Sequence, residues 1–139
     1  GTHSSQVSFP GGKYEQHDKD LQITALRETS EEVGVSMGHI RIMKKMTDTF
    51  IPPSNFLVSP FFGFTDSRPE FTINHEVEQI IEVKLTDLLN DDSVSSKNLT
   101  TSYMKNIEVP CYKFNDTTVW GATAMMLSEI KDLIKENLH

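Results

Sequence analysis

The segment DLQITALRETSEEVGV, residues 20–35, constrains the fold more than any other part of the sequence. Asp20 is an N-cap residue ahead of apolar Leu21 and Ile23, and Gly34 is a stop after Val33, so the spacing predicts a helix over 21–33. At about 100° per residue, Ile23, Leu26, Val33 and the methyl of Thr29 share one side, while Glu28, Glu31 and Glu32 fall nearly opposite. One side is expected to be buried and the other to carry the carboxylates.

Glutamates at i, i+3 and i+4 are neighbours on a helix and destabilise it by a few tenths of a kcal/mol per pair. Arg27 can pair with Glu31 at i+4, but it is expected to point away from Glu28 and Glu32 and so to neutralise only part of the cluster. A hard divalent cation would neutralise the rest. Mg²⁺ suits such a place because it takes oxygen ligands and is held by one or two carboxylates plus substrate phosphates. The alternative is a solvated acidic face. Upstream, Gly11-Gly12 is the kind of pair used where backbone passes close to another group, or in a plain tight turn.

Taken together, Gly12, Asp18, Arg27-Glu28, Glu31-Glu32 and Gly34-Val35 resemble the Nudix box, the signature of hydrolases that cleave a diphosphate joining a nucleoside to another group. That pattern runs glycine, five residues, an acid, seven residues, Arg-Glu, an aliphatic, any residue, Glu-Glu, any residue, glycine, aliphatic. Here eight residues separate Asp18 from Arg27, and Thr29 stands at the aliphatic position. Further positions resemble the coenzyme A diphosphatases within the family: His3, residues 6–12, residues 24–29, Pro53 to Phe56, Pro60-Phe61, Glu76-Val77 and residues 120–124.

The resemblance implies hydrolysis of coenzyme A or acyl-CoA to 4′-phosphopantetheine and adenosine 3′,5′-bisphosphate, with Mg²⁺ or Mn²⁺ as cofactor. It makes Glu28 and Glu32 the expected metal ligands, Glu31 a third ligand or a base, and Arg27 the residue that orients a glutamate. Gly12 is expected to offer its carbonyl to a metal, and Glu76 or Glu78 to serve as a general base from a loop. Gly11 and Lys13 are expected on the substrate side; Lys44 and Lys45 are further candidates for phosphate contact, against the ordinary solvent-facing role of lone lysines. His17 and His75 are expected to be plain surface residues. Two other readings stay open: hydrolysis of another nucleoside diphosphate derivative such as NADH or an ADP-sugar, and a Nudix-like binding module without turnover.

The remaining sequence sets limits. A length of 139 residues suits one domain over 1–139 with a real core. The net charge of −7 argues against a nucleic-acid backbone as partner, and no apolar run reaches membrane-spanning length, so a small polyanion held through metal is the expected ligand. Cys111 stands alone, which fits a reducing compartment and, with an unremarkable C-terminus, a cytoplasmic location. Only eight residues precede Phe9, whereas proteins resembling this one carry strand-forming sequence ahead of the box, so the resemblance implies a truncated start with the first strands missing. A sheet edge opened that way is a surface a second copy can cover as a homodimer.

The coarse pattern gives a short strand at 6–9, the helix, a strand running from Ile40 toward Phe50, a rigid turn at Pro52-Pro53, and a strand over 55–65 interrupted by Pro60. It continues with a loop over 66–74, partial alternation over 76–85, a helical turn at 86–89, and a mobile loop over 91–97. Two strands, 107–114 and 117–120, are joined across Asn115-Asp116, and a helix over 122–137 buries Met126, Ile130, Leu133 and Ile134 while Glu129, Lys131, Lys135 and Glu136 face away. Such an order implies an α/β or α+β fold, and the resemblance implies a mixed sheet sandwiched between helices.

Overall fold

The computed structural model describes residues 6–51, 54–99 and 107–137. His3, Pro52, Pro53 and the last two residues, on which part of the sequence reading fell, lie outside the described residues. In chain order the elements are α1 (Leu21–Val33), a 3₁₀ turn (Met37–His39), β1 (Arg41–Lys45), β2 (Thr49–Ile51), β3 (Phe56–Val58) and β4 (Phe61–Phe64). They continue with α2 (Leu85–Leu89), a second 3₁₀ turn (Asp91–Ser93), β5 (Val94–Leu99), β6 (Ile107–Phe114), β7 (Thr117–Val119) and α3 (Gly121–Glu136). The α/β class is the one expected. Among the described residues no helix is long and apolar enough to cross a membrane.

The chain divides into two compact units, one formed by residues 9–48 and 58–81 and the other by 1–8, 49–57 and 82–139. In the first unit α1 has the predicted bounds. The Asp20 side chain accepts from the Ile23 N–H, and Gly34 ends the helix in the left-handed region at φ 76°. The only fully buried residue of α1 is a polar one, Thr24, because the loop before the helix folds over the side where Thr24 and Glu28 stand. β1 and β4 pair antiparallel with an irregularity between Ile42 and Lys44, which leaves Met43 exposed. The predicted continuous strand from Ile40 is thus broken after Lys45, and Met46 turns inward with its N–H on the Pro60 carbonyl.

In the second unit, β5, β6 and β7 form an antiparallel sheet. Tyr112 and Phe114, two residues apart on β6, share one face, stack with ring centroids 5.8 Å apart, and join Leu88, Val119 and Ala124 in the core. Asn115 takes φ 53° in the two-residue turn, which asparagine tolerates because its side chain can hydrogen-bond locally. Cys111 is buried. β2 pairs with β3.

Several expectations need correction. Residues 6–9 form no strand; Val7 packs on the core and its carbonyl accepts from the Thr123 hydroxyl at 2.8 Å. The polar stretch 91–97 is a 3₁₀ turn and part of β5, because β6 supplies its main chain with partners that side-chain periodicity does not reveal. Residues 76–84 stay irregular despite their alternation. Lys131 is 6% exposed instead of facing away: its aliphatic stem is covered while Nζ reaches Asp91 at 3.4 Å.

A Cβ on Gly34 would lie 2.8–2.9 Å from the backbone and Cβ of Thr72, in a conformation side chains rarely adopt. Gly34→Ala is therefore expected to cost at least about 2 kcal/mol in urea denaturation. Gly38→Ala, with open space at its Cβ position, is expected to stay within about 0.5 kcal/mol of the parent.

Candidate metal and active site

The site is built where the loop before α1 folds back onto it. Asp18 is 3% exposed and accepts from Arg27 twice, Nε to Oδ1 at 2.8 Å and Nη2 to Oδ2 at 3.0 Å. Its Oδ2 also accepts from the Thr24 hydroxyl at 2.9 Å and the Glu15 N–H at 2.9 Å. The Arg27 hydrogen bonds, followed by those from Glu15 and Thr24, hold the Asp18 carboxyl well below the usual carboxylate range, with burial acting in the opposite sense. The same pair pushes the Arg27 guanidinium further up. A planar fork fixed at one edge by a buried carboxylate has its remaining N–H groups aimed.

Those groups decide where the glutamates stand. Arg27 Nη1 donates to Glu28 Oε1 at 2.7 Å and to Glu31 Oε2 at 3.2 Å, and Nη2 reaches the Lys13 carbonyl at 3.3 Å. The expectation that Arg27 points away from Glu28 is therefore overturned. Asp18 draws the guanidinium toward the loop, and the Glu28 carboxylate bends the same way to meet it. Glu31 is held outward with its side chain 55% exposed, whereas Glu28 is largely covered.

Glu28 uses Oε1 on Arg27 and turns Oε2 toward Gly12, where an added Cβ would lie 2.3 Å from that oxygen. Glu32 Oε2 accepts from the Gly11 N–H at 3.1 Å. The glycine pair thus lies against two carboxylates that neighbour one another at i and i+4. Partial burial pushes the Glu32 carboxyl upward, and the neighbouring Glu28 and Glu76 carboxyls add to the shift while the Gly11 N–H opposes it. Two carboxylates crowded beside a glycine backbone, one resisting ionisation, suit a bound cation. Glu28 and Glu32 would hold it, with the Gly12 backbone adjacent, as Mg²⁺ or Mn²⁺ sites built from few protein oxygens require. Among the described residues no group of three or more His, Cys, Asp or Glu side chains is already gathered for a metal ion.

The other predicted residues spread out. Glu76 is exposed but close enough to Glu32 to act on its ionisation, and His75 lies 4.0 Å from it. His17 is exposed beside Glu15 at 3.4 Å, as a surface residue should be. Lys45 pairs with Asp48 at 2.8 Å, and this, with the Ser59 hydroxyl, lowers the Asp48 carboxyl. Lys13 lends its carbonyl to Arg27. Sequence reasoning placed Asp18 in the box as its acid but did not pair it with Arg27, and it gave no role to Thr24 or Asn74.

A family model described as NUDIX domain matches residues 1–102. Among curated proteins, the chain is 34% identical over 132 residues to "Nudix hydrolase 22, chloroplastic" of Arabidopsis thaliana, covering 91% of this chain and 43% of that protein. It is 27% identical over 128 residues to "Mitochondrial coenzyme A diphosphatase NUDT8" of Homo sapiens, covering 91% and 54% respectively. A Nudix hydrolase named NudL from Photorhabdus laumondii is 27% identical over 135 residues, covering 96% and 71%. The chain thus spans about half the length of the first two relatives.

A carboxyl whose pKa lies below its unfolded value of 3.8 stabilises the fold above that pH and ceases to do so as pH falls through the lower, folded value. Asp18→Asn is therefore expected to be less stable than the parent at pH 7, with the gap closing as pH drops from about 4 toward 2 in urea titrations. Gly12→Ala should leave the fold intact, since the atoms nearest its Cβ belong to the flexible Glu28 side chain. By displacing that carboxylate it should weaken Mn²⁺ binding in calorimetry at least tenfold, roughly the effect of losing an outer-shell support.

Proposed function

The chain belongs to the NUDIX domain family, and from that premise we propose that it hydrolyses the diphosphate of coenzyme A or an acyl-CoA, giving 4′-phosphopantetheine and adenosine 3′,5′-bisphosphate. Hydrolysis of a nucleoside diphosphate derivative is the broader statement, and the family relationship supports it directly. The narrower choice of coenzyme A draws support from the box-flanking residues named above and from the human coenzyme A diphosphatase among the relatives. One domain over residues 1–139 belongs to the same proposal, since the family match runs through segments of both compact units.

The observation that carries the reading is the pair of carboxylates, Glu28 and Glu32, lying against Gly11-Gly12. Nudix hydrolases depend on divalent metal ions, and when bound such an ion shields the diphosphate and eases formation of hydroxide from water. The side chains supply the rest. Glu28 and Glu32 would hold the cation, Arg27 fixes the rotamer of Glu28, and the glycine backbone would admit a diphosphate close to both. Lys13, at the edge of that loop, is the cationic residue proposed to meet the substrate. Glu76 is proposed to take the proton from the attacking water, and its place near Glu32 supports that role. Phosphoryl-type transfer is governed by positioning and electrostatics, so the absence of a nucleophile from this list is expected chemistry. The intact glutamates favour turnover over a binding-only module. A cytoplasmic location remains a proposal beside relatives named chloroplastic and mitochondrial.

Incubation with CoA and Mg²⁺ or Mn²⁺, followed by chromatographic separation, is expected to release 4′-phosphopantetheine and adenosine 3′,5′-bisphosphate in equal amounts. Glu32→Gln is expected to lower kcat by about 10²-fold or more with the fold retained, beyond what loss of an outer-shell partner costs. Release of products from NADH or an ADP-sugar, with CoA untouched, would change the substrate assigned. Unchanged turnover by Glu32→Gln would remove the metal assignment.

A further inference from the structure

The last turn of α1 is joined to a segment without regular secondary structure. The Thr72 N–H donates to the Val33 carbonyl at 2.9 Å, and the Asn74 N–H donates to the Glu32 carbonyl at 3.1 Å. Both acceptors are among the carbonyls a helix leaves unpaired at its C-terminal end. Gly34 allows this approach, since its α-carbon lies where any side chain would strike Thr72.

Asn74 makes a second connection. Its Oδ1 accepts from the Glu76 N–H at 2.9 Å, and its carbonyl accepts from the Val77 N–H at 3.2 Å. A side-chain oxygen bonded to the N–H two residues on closes a local ring that fixes the intervening backbone. One residue therefore ties the backbone of Glu32 to that of Glu76. The Glu76 carboxyl is exposed.

We propose that Asn74 is a positioning residue for the hydrolysis, holding Glu76 at the edge of the Glu28–Glu32 pair by bridging the last turn of α1 to the Glu76 main chain. This rests on the diphosphatase reading and on Glu76 as its base. In the step it serves, a water oxygen bonds to phosphorus and the water's proton passes to the Glu76 carboxylate. The bond from phosphorus to the bridging oxygen breaks, and that oxygen leaves with the electron pair. Without the Asn74 side chain the helix end keeps its main-chain donors, but residues 75 and 76 lose the bond that orients them. The expected loss falls on the chemical step and leaves binding alone.

The test is a double-mutant cycle on the complete chain with CoA and Mn²⁺. Asn74→Ala is expected to lower kcat about tenfold with KM within about twofold, the scale of an outer-shell support. Asn74→Ser, which keeps a side-chain acceptor for the N–H two residues on, should recover most of that loss. Glu76→Gln should lower kcat by about 10²-fold, the scale of a general base, and the double variant Asn74→Ala/Glu76→Gln should match Glu76→Gln alone. Asn74→Gln, whose longer side chain does not close the ring, repeats the comparison if the alanine variant folds poorly.

Wild-type kcat in Asn74→Ala and Asn74→Gln, a rise confined to KM, or multiplying losses in the double variant would overturn the proposal. A parent protein that cleaves NADH or an ADP-sugar in place of CoA changes the substrate only, and the same cycle is read with that substrate. A parent that cleaves none of them defeats the hydrolase reading, and the role of Asn74 falls with it.

Discussion

The contact on which the rest of the site depends is the paired hydrogen bond from Arg27 to Asp18. A buried carboxylate is costly unless every lone pair finds a donor, and Asp18 finds four: two from Arg27, one from Thr24 and one from the Glu15 main chain. Once satisfied in this way, the loop from Gly11 to Asp18 has one arrangement against α1. The remaining face of the guanidinium is then fixed toward Glu28 and Glu31. A single arginine thus converts a loop anchor into a carboxylate rotamer, so the rotamer is set before any ligand arrives.

That preorganisation acts against local stability. Glu28 and Glu32 share one stretch of helix, and Glu32 resists ionisation because it is partly covered and faces other carboxyls. Packing alone gives no reason for the sequence to accept this. Sites that shift carboxylates in this direction cluster where chemistry is done, although structural networks can do the same. The glycine pair supports the proposed metal site over the structural reading. A side chain at Gly12 would collide with the Glu28 carboxylate, so the backbone approaches the acidic pair as closely as it can.

Much of this was legible in the chain. The caps, Asp20 and Gly34, set the bounds of α1 because capping is local chemistry, and the turn at Asn115-Asp116 set β6 and β7 for the same reason. What local pattern could not supply was partner choice across long separations. β5 looked like a polar loop until β6, remote in sequence, gave its backbone hydrogen bonds. Lys131 looked solvent-facing because charge implies exposure on average, yet its stem is covered and its amine reaches Asp91. Helical spacing alone pairs Arg27 with Glu31, a contact the structure keeps. The acid that in fact governs it, Asp18, lies outside the helix and beyond any periodicity argument.

The polarity of α1 adds a last step. Aligned peptide dipoles leave partial negative charge at a helix C-terminus, where cations are favourable and anions unfavourable by about 0.3–1 kcal/mol each. α1 has no acid in its first turn and no base in its last, and its glutamates all lie in the C-terminal half. Arg27 offsets part of that charge, and the N–H groups of Thr72 and Asn74 cap two terminal carbonyls. Neither brings positive charge to Glu32. A helix selected for stability alone would carry lysine or arginine there. That end stays acidic against the glycine backbone, and the cation proposed above is the charge that would offset it.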